Sequence, residues 1–156
     1  MLFGRNVASY KFALAKSLLD LEPHSGQLVK LEDLAPKFAH HICEHLKHAP
    51  KQGTSSSSQF LNSCRRYIEG TQSEHQLIGD TVRLGFVNVI DAFHVLGSGD
   101  IEKRFFIDQR QSRGGIEITD EFSQLQQDVR TLDLIMEAES RWRLVETAWE
   151  LGLSRN

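Results

Sequence analysis

Residues 103–122 read KRFFIDQRQSRGGIEITDEF, and this stretch carries the clearest β-structure signal in the chain. Two runs rich in aromatic and β-branched residues, 105–107 and 116–119, flank a polar segment. Between the runs, Gly114 and Gly115 supply the positive φ angles that a chain reversal needs. The stretch therefore predicts a β-hairpin that carries Arg110 and Arg113 at its tip.

The second arm of this hairpin alternates in polarity and leads into a helix. Ile116 and Ile118 fall on one side, and Glu117 falls on the other, which is typical of a half-buried strand. Thr119 then stands at the N-cap position of a helix whose first turn is acidic, beside the positive end of the helix dipole.

Outward from the hairpin, long helical patterns occupy both sides, so the chain is predicted to be mainly α with about six helices and one small antiparallel β-hairpin. Apolar spacing and capping signals place the helices at roughly 7–20, 32–48, 58–69, 74–96, 120–129 and 132–151. A short strand or extended segment is predicted at 28–31, and a serine-rich surface loop at 49–57. In the last helix the residues expected to face inward are Leu132, Met136, Trp142, Val145 and Trp149.

Composition and charge limit the classes of function that this chain can have. The 156 residues are 40% hydrophobic with a net charge of −3, which predicts a single α-rich domain over 1–156 and disfavours unspecific nucleic-acid binding. The acidic excess is confined to one end: residues 1–116 hold 14 basic and 12 acidic residues, and 117–156 hold 4 and 9. No apolar run approaches the length of a membrane span, and two cysteines fit a reducing cytosol, so a cytoplasmic location is expected.

A histidine-rich stretch is the first candidate for chemistry. His40, His41, Cys43, His45 and His48 lie within nine residues, and on a helix three of these histidines share one face, which is a ligand-like spacing. No fourth ligand stands at a standard distance. Half-buried, hydrogen-bonded histidines are the preferred interpretation, and neither a metal nor a cofactor is predicted for this domain.

No catalytic residue is predicted. Asp108 and Glu117, on opposite arms of the hairpin, are placed like the carboxylate pair of some nucleases, but Thr119 stands where those enzymes need a lysine. Motifs for a serine nucleophile or for a phosphate-binding glycine loop are absent. A pairing of Cys64 with the histidines stays open.

Binding to double-stranded DNA is the better-supported class. The helix at 58–69 leaves polar and basic side chains on one face, the types that read base edges and phosphates. The hairpin could act as a wing on the DNA backbone, and the order of strand, two helices and hairpin loosely matches a winged helix-turn-helix. The predicted contact residues are Gln59, Asn62, Arg65, Arg66, Lys103, Arg104, Arg110 and Arg113.

Several stretches, at 6–19, 58–67, 104–122 and 141–149, resemble the N-terminal region of bacterial HNH endonuclease family proteins of the restriction or phage-defence type. The resemblance spans most of the chain but includes no HNH motif. It implies a non-catalytic N-terminal domain of a longer protein, which recognises or positions DNA, or a partner protein, for a nuclease. A divalent metal would then belong to a separate nuclease domain.

Two other classes remain open on the residues alone. The acidic C-terminal helix with its tryptophans favours a protein-interaction or dimerisation domain with no DNA contact, and a homodimer is among the expected partners. An autonomous metalloenzyme would depend on the histidine cluster. Neither reading involves a membrane.

Overall fold

A computed structural model describes residues 7–52, 58–93, 95–96, 99–100 and 104–151. The described chain is mostly helical with a small three-stranded antiparallel sheet, which confirms the predicted fold class. None of the described helices is long and apolar enough to cross a membrane.

Three long helices build the main core. They are α1 (Val7–Leu21), α2 (Leu31–His48) and α8 (Thr131–Glu150). Their inward faces bury side chains completely, among them Leu14, Phe38 and Trp142. The bounds of α1 and α2 lie within one residue of those predicted, because the apolar spacing of both helices is read locally.

The predicted hairpin is confirmed, and a third strand joins it. Strands β4 (Phe106–Gln109) and β5 (Gly115–Ile118) are linked by the helical turn α6 (Arg110–Arg113), and β1 (Leu28–Lys30) pairs with β5, giving the order β1-β5-β4. All pairings are antiparallel, and Ile116 of β5 stands opposite Val29 and Asp108.

The two glycines of the hairpin serve different purposes. Gly114 ends α6 with φ of 75°, a left-handed conformation that glycine adopts without cost. Gly115 is buried where β1 approaches: a Cβ at this position would overlap the carbonyl oxygen of Val29 and lie 2.9 Å from Cα of Lys30. The chain reversal is predicted from local residues, but the close approach at Gly115 comes from β1, which is distant in sequence.

The prediction of one continuous helix over 74–96 is wrong. The structure has α4 (Glu74–Asp80), a π-helical turn (Thr81–Gly85), α5 (Val89–Ala92) and a small hairpin of β2 (Val95–Leu96) and β3 (Gly99–Asp100). The predicted capping box of Ser73 with Gln76 does begin α4. The π-helical turn ends at Gly85, where an added Cβ would stand 3.3–3.4 Å from the rings of Phe38 and Phe60, which belong to other helices.

The shorter helix α3 (Gln59–Glu69) buries Phe60, Leu61 and Cys64 as predicted, but Tyr67 and Ile68 are exposed, contrary to the prediction. These two lie in its last turn and line an open cavity together with residues of α2 and α4.

The orientation of α8, which follows α7 (Asp120–Asp128), is also partly different. Trp142 is fully buried as predicted and Val145 is half-buried, but Leu132 and Met136 are exposed. The helix instead turns Leu134 and Ile135 toward the core. The side chain of Trp149 lies outside the described part of the chain.

Candidate nucleic-acid interface

The helix α3 is held at its start by a hydroxyl pair. Ser58 is its N-cap and accepts a hydrogen bond from the Leu61 backbone N–H at 3.2 Å, while the Tyr10 hydroxyl lies 2.9 Å from the Ser58 oxygen. Burial raises the pKa of Tyr10 to about 12, so this phenol stays protonated in ordinary buffers. The first turn is therefore anchored to α1, and Gln59 points outward from it, exposed.

Arg65 is oriented by two neutral acceptors. Its Nη1 donates to Asn62 Oδ1 at 2.8 Å and its Nη2 donates to the Pro50 carbonyl at 3.3 Å. Since neither acceptor is charged, the guanidinium is positioned but not neutralised. Asn62 uses only its carbonyl oxygen in this bond.

Arg66 is exposed and is likewise held by an amide. Its Nε donates to Gln72 Oε1 at 2.9 Å, and Gln72 in turn donates to Ser63 and to Asp80. The acid of this cluster, Asp80, is engaged by Arg83 at 2.8 Å instead. Arg66 therefore keeps its net positive charge at the surface.

The contrast with other arginines is what distinguishes α3. Within the described ranges neither Arg65 nor Arg66 has a carboxylate oxygen within 4.0 Å. Six other arginines in those ranges form salt bridges, namely Arg83, Arg110, Arg113, Arg130, Arg141 and Arg143. Cations without a carboxylate partner, on a helix that also carries the exposed amide of Gln59, suit contact with a polyanion.

The hairpin arginines differ among themselves. Arg110 is half-buried, with Nη2 at 2.7 Å from Asp91 and 2.8 Å from Asp108, and Nη1 donates to the Phe86 carbonyl at 3.2 Å. The hydrogen bond from Arg110 lowers the pKa of Asp108, so that pair stays ionised. Arg110 thus ties the hairpin to the segment around α5, and its charge is already matched.

Arg113, at the tip of the hairpin, and Arg104, two residues before β4, are both exposed. Arg113 reaches Glu117 only at 3.5 Å, an exposed pair of little energetic weight. The Arg104 carbonyl accepts the Thr119 hydroxyl at 2.6 Å, which explains why Thr119, although it stands at the N-cap of α7, makes no side-chain capping bond. Lys103 lies outside the described residues.

Two histidines of the α2 cluster, His41 and His45, pair with carboxylates of α1 and α8. His41 pairs with Asp20 at 2.6 Å, and burial lowers the pKa of His41 more than this pairing raises it. His45 is buried, with Nδ1 against Glu146 and Nε2 2.9 Å from Glu139. Among the residues described, no group of three or more histidine, cysteine or carboxylate side chains is arranged to hold a metal ion.

His45 belongs to a buried polar network that the sequence did not reveal. Its ring stacks on Trp142 at 3.4 Å between centroids and 5° between planes. The Trp142 indole N–H donates to Gln52 Oε1 at 2.9 Å, and Gln52 Nε2 donates to Glu146 Oε2 at 2.7 Å. Ser9 of α1 donates to the same Gln52 oxygen at 2.6 Å. One signal was available: Glu139, Trp142 and Glu146 fall on one helical face.

Glu139 closes this network at its outer edge. Lys16 of α1 donates to it at 2.6 Å, and Arg143 lies 3.1 Å from its second oxygen. Burial raises the pKa of Glu139, but the hydrogen bonds from Lys16 and His45 outweigh burial and lower the pKa to about 2. The carboxylate is therefore charged at every physiological pH.

The network also shapes the candidate interface. Gln52 donates to the Ala49 carbonyl at 2.9 Å, and Arg65 binds the carbonyl of the next residue, Pro50. The segment 49–52 is thus fixed on one side by α8 and presents a carbonyl to α3 on the other. The buried network therefore holds the backbone segment that orients Arg65, while Arg65 and Arg66 themselves lie outside the network.

Comparisons with protein-family models, with curated protein sequences and with solved structures found no match for this chain.

Proposed function

We propose that this chain is a DNA-recognition or DNA-positioning domain that binds double-stranded DNA through α3, as part of an HNH-type endonuclease system. The observation that carries the proposal is the state of Arg65 and Arg66, two oriented guanidiniums without a carboxylate partner in the described chain. They contact phosphates. Gln59 and Asn62, on the same helix, reach base edges.

The arrangement of elements supports the same proposal. The order β1, α2, α3 and hairpin, with β1 beside the second arm, loosely resembles that of a winged helix-turn-helix domain. The insertion of α4 and α5 between α3 and the hairpin departs from that pattern. The chain supplies no catalytic group in this proposal, so hydrolysis and its divalent metal belong to a separate nuclease domain.

The hairpin adds a second, weaker contact. Arg104, Arg113 and Lys103 approach the DNA backbone as a wing, and Arg110 supports the hairpin through Asp91 and the Phe86 carbonyl. Arg113→Ala is therefore expected to weaken DNA binding by less than Arg65→Ala. Arg110→Ala is expected to lower stability more than Arg113→Ala. Arg110 links the hairpin to Asp91 and Phe86, whereas the salt bridge of Arg113 is to Glu117 of the hairpin itself.

The test is fluorescence anisotropy with a labelled random-sequence duplex at low salt. Replacement of both Arg65 and Arg66 by alanine is expected to weaken binding tenfold or more, about 1.4 kcal/mol. The matched control removes two positive charges from other parts of the surface, Lys37→Ala with Arg130→Ala, and is expected to leave the affinity within about threefold. An undetectable affinity for the parent chain, or an equal loss in both variants, refutes the proposal.

A further inference from the structure

The outer face of α8 carries apolar side chains that the fold does not cover. Leu132, Met136, Leu144 and Leu151 are 56%, 59%, 71% and 65% exposed. The first three lie within α8 at intervals of four and eight residues, and Leu151 directly follows its last residue, while Trp142 is fully buried on the other side of the helix. A row of this length on one helix marks an interaction surface more often than scattered exposed residues do.

The charges along this helix are ordered about Ser140. The exposed acid Glu137 precedes it by three residues, and the exposed bases Arg141 and Arg143 follow it by one and three residues. Farther out, Arg130 and Glu150 stand ten residues on either side of Ser140 with opposite charge. If a second copy of this helix runs in the opposite direction and the two are aligned at Ser140, the acids of one copy therefore stand at the height of bases of the other.

We propose that α8 binds α8 of a second copy of this chain, antiparallel, with the two-fold axis at Ser140. In this register Met136 lies at the height of Leu144 of the second copy, and Leu132 lies at the height of Ala148. The small Ser140 side chain allows the helices to approach at the axis. The proposal does not depend on DNA binding.

The flanking charges fit the antiparallel arrangement. Glu137 and Arg141 form an exposed pair at 2.6 Å within the helix. In the dimer, Glu137 of one copy comes close to Arg141 of the other, so acids and bases alternate along this flank. A parallel dimer would instead put the acidic turn of one helix at the height of the acidic turn of the other, and it would align the helix dipoles unfavourably.

The size of the surface sets the expected strength. A twenty-residue helix presents a face of roughly 30 Å by 10 Å. The two facing surfaces together bury roughly 600 Å², less than the ~1,200 Å² of a standard stable interface, so the dimer is expected to be reversible and dependent on concentration.

Sedimentation equilibrium of the full chain over a wide concentration range tests the association. Met136→Glu with Leu144→Glu is expected to raise the dimer dissociation constant tenfold or more, because two charges would enter the apolar strip. The matched control places glutamates at two other exposed apolar residues, Val87 and Ile107, which are 52% and 47% exposed. The control is expected to associate like the parent chain.

Cysteine cross-linking in a glutathione redox buffer tests the register. Ser140→Cys is expected to form an intermolecular disulfide, since helices 8–10 Å apart bring facing Cα atoms within disulfide range. Thr147→Cys is the control, because the two copies of residue 147 would stand about 21 Å apart along antiparallel helices. The native Cys43 and Cys64 are buried and do not compete.

Association that is lost only in the α8 variant, with cross-linking at 140 but not at 147, supports the proposal. Equal cross-linking at both positions overturns the antiparallel register. A monomer at every concentration, or an equal loss of association in the control with Val87 and Ile107 replaced, overturns the surface itself.

Discussion

Glu146 is the residue on which the buried network should depend most. It is 8% exposed, and one of its oxygens accepts from Gln52 at 2.7 Å and from His45. Glu146→Ala leaves the His45 Nδ1 without its acceptor and reduces the Gln52 amide to its bond with the Ala49 carbonyl. A buried donor without an acceptor costs about 1–3 kcal/mol, so the expected loss is about 2–6 kcal/mol.

Urea unfolding followed by tryptophan fluorescence measures this loss, because Trp142 lies within the network. Glu150→Ala, on the same helix but exposed, is the control and is expected to change the free energy of unfolding by less than about 0.5 kcal/mol. A double-mutant cycle with Gln52→Ala should give a coupling of about 1 kcal/mol or more. A loss below about 1 kcal/mol for Glu146→Ala, or no coupling to Gln52, would refute the reasoning.

Two further predictions concern the hairpin and acid stability. Gly115→Ala should destabilise the protein by about 1–3 kcal/mol in urea unfolding, since its Cβ would overlap the Val29 carbonyl, whereas Gly79→Ala, with open space around it in α4, should be neutral or stabilising; equal effects would contradict the close approach. Glu139, with a folded pKa of about 2 against an ordinary 4.5, contributes stability that is complete above about pH 4.5 and is lost as the pH falls toward 2. Unfolding midpoints across this range should fall less steeply for Glu139→Gln than for the parent chain, and parallel profiles would exclude this role.

Local signals were sufficient for much of the fold. The hairpin, the strand at 28–30, the capping box at Ser73 and the bounds of α1, α2 and α3 each depend on residues within a few positions of one another. The break after α4 ends instead at Gly85, where an added Cβ would stand 3.3–3.4 Å from the rings of Phe38 and Phe60 on other helices. No periodicity within 74–96 contains that information.

The same distinction applies to the candidate site. The position of Arg65 and Arg66 on the polar face of α3 follows from helical spacing. The neutralisation of Arg110 does not, because Asp91 lies 19 residues away. The network around Glu146 joins residues that are 94 and 101 positions apart, and pairings at such separation are created by helix packing.

The salt dependence of DNA binding tests the central claim most directly. In anisotropy titrations between 50 and 200 mM salt, loss of two phosphate contacts should make the slope of log K against log salt less steep by about 2 for the Arg65→Ala, Arg66→Ala variant. The control Lys37→Ala, Arg130→Ala should keep the parent slope. Equal slopes for the parent chain and the α3 variant would contradict the assignment of α3 as the DNA-binding helix.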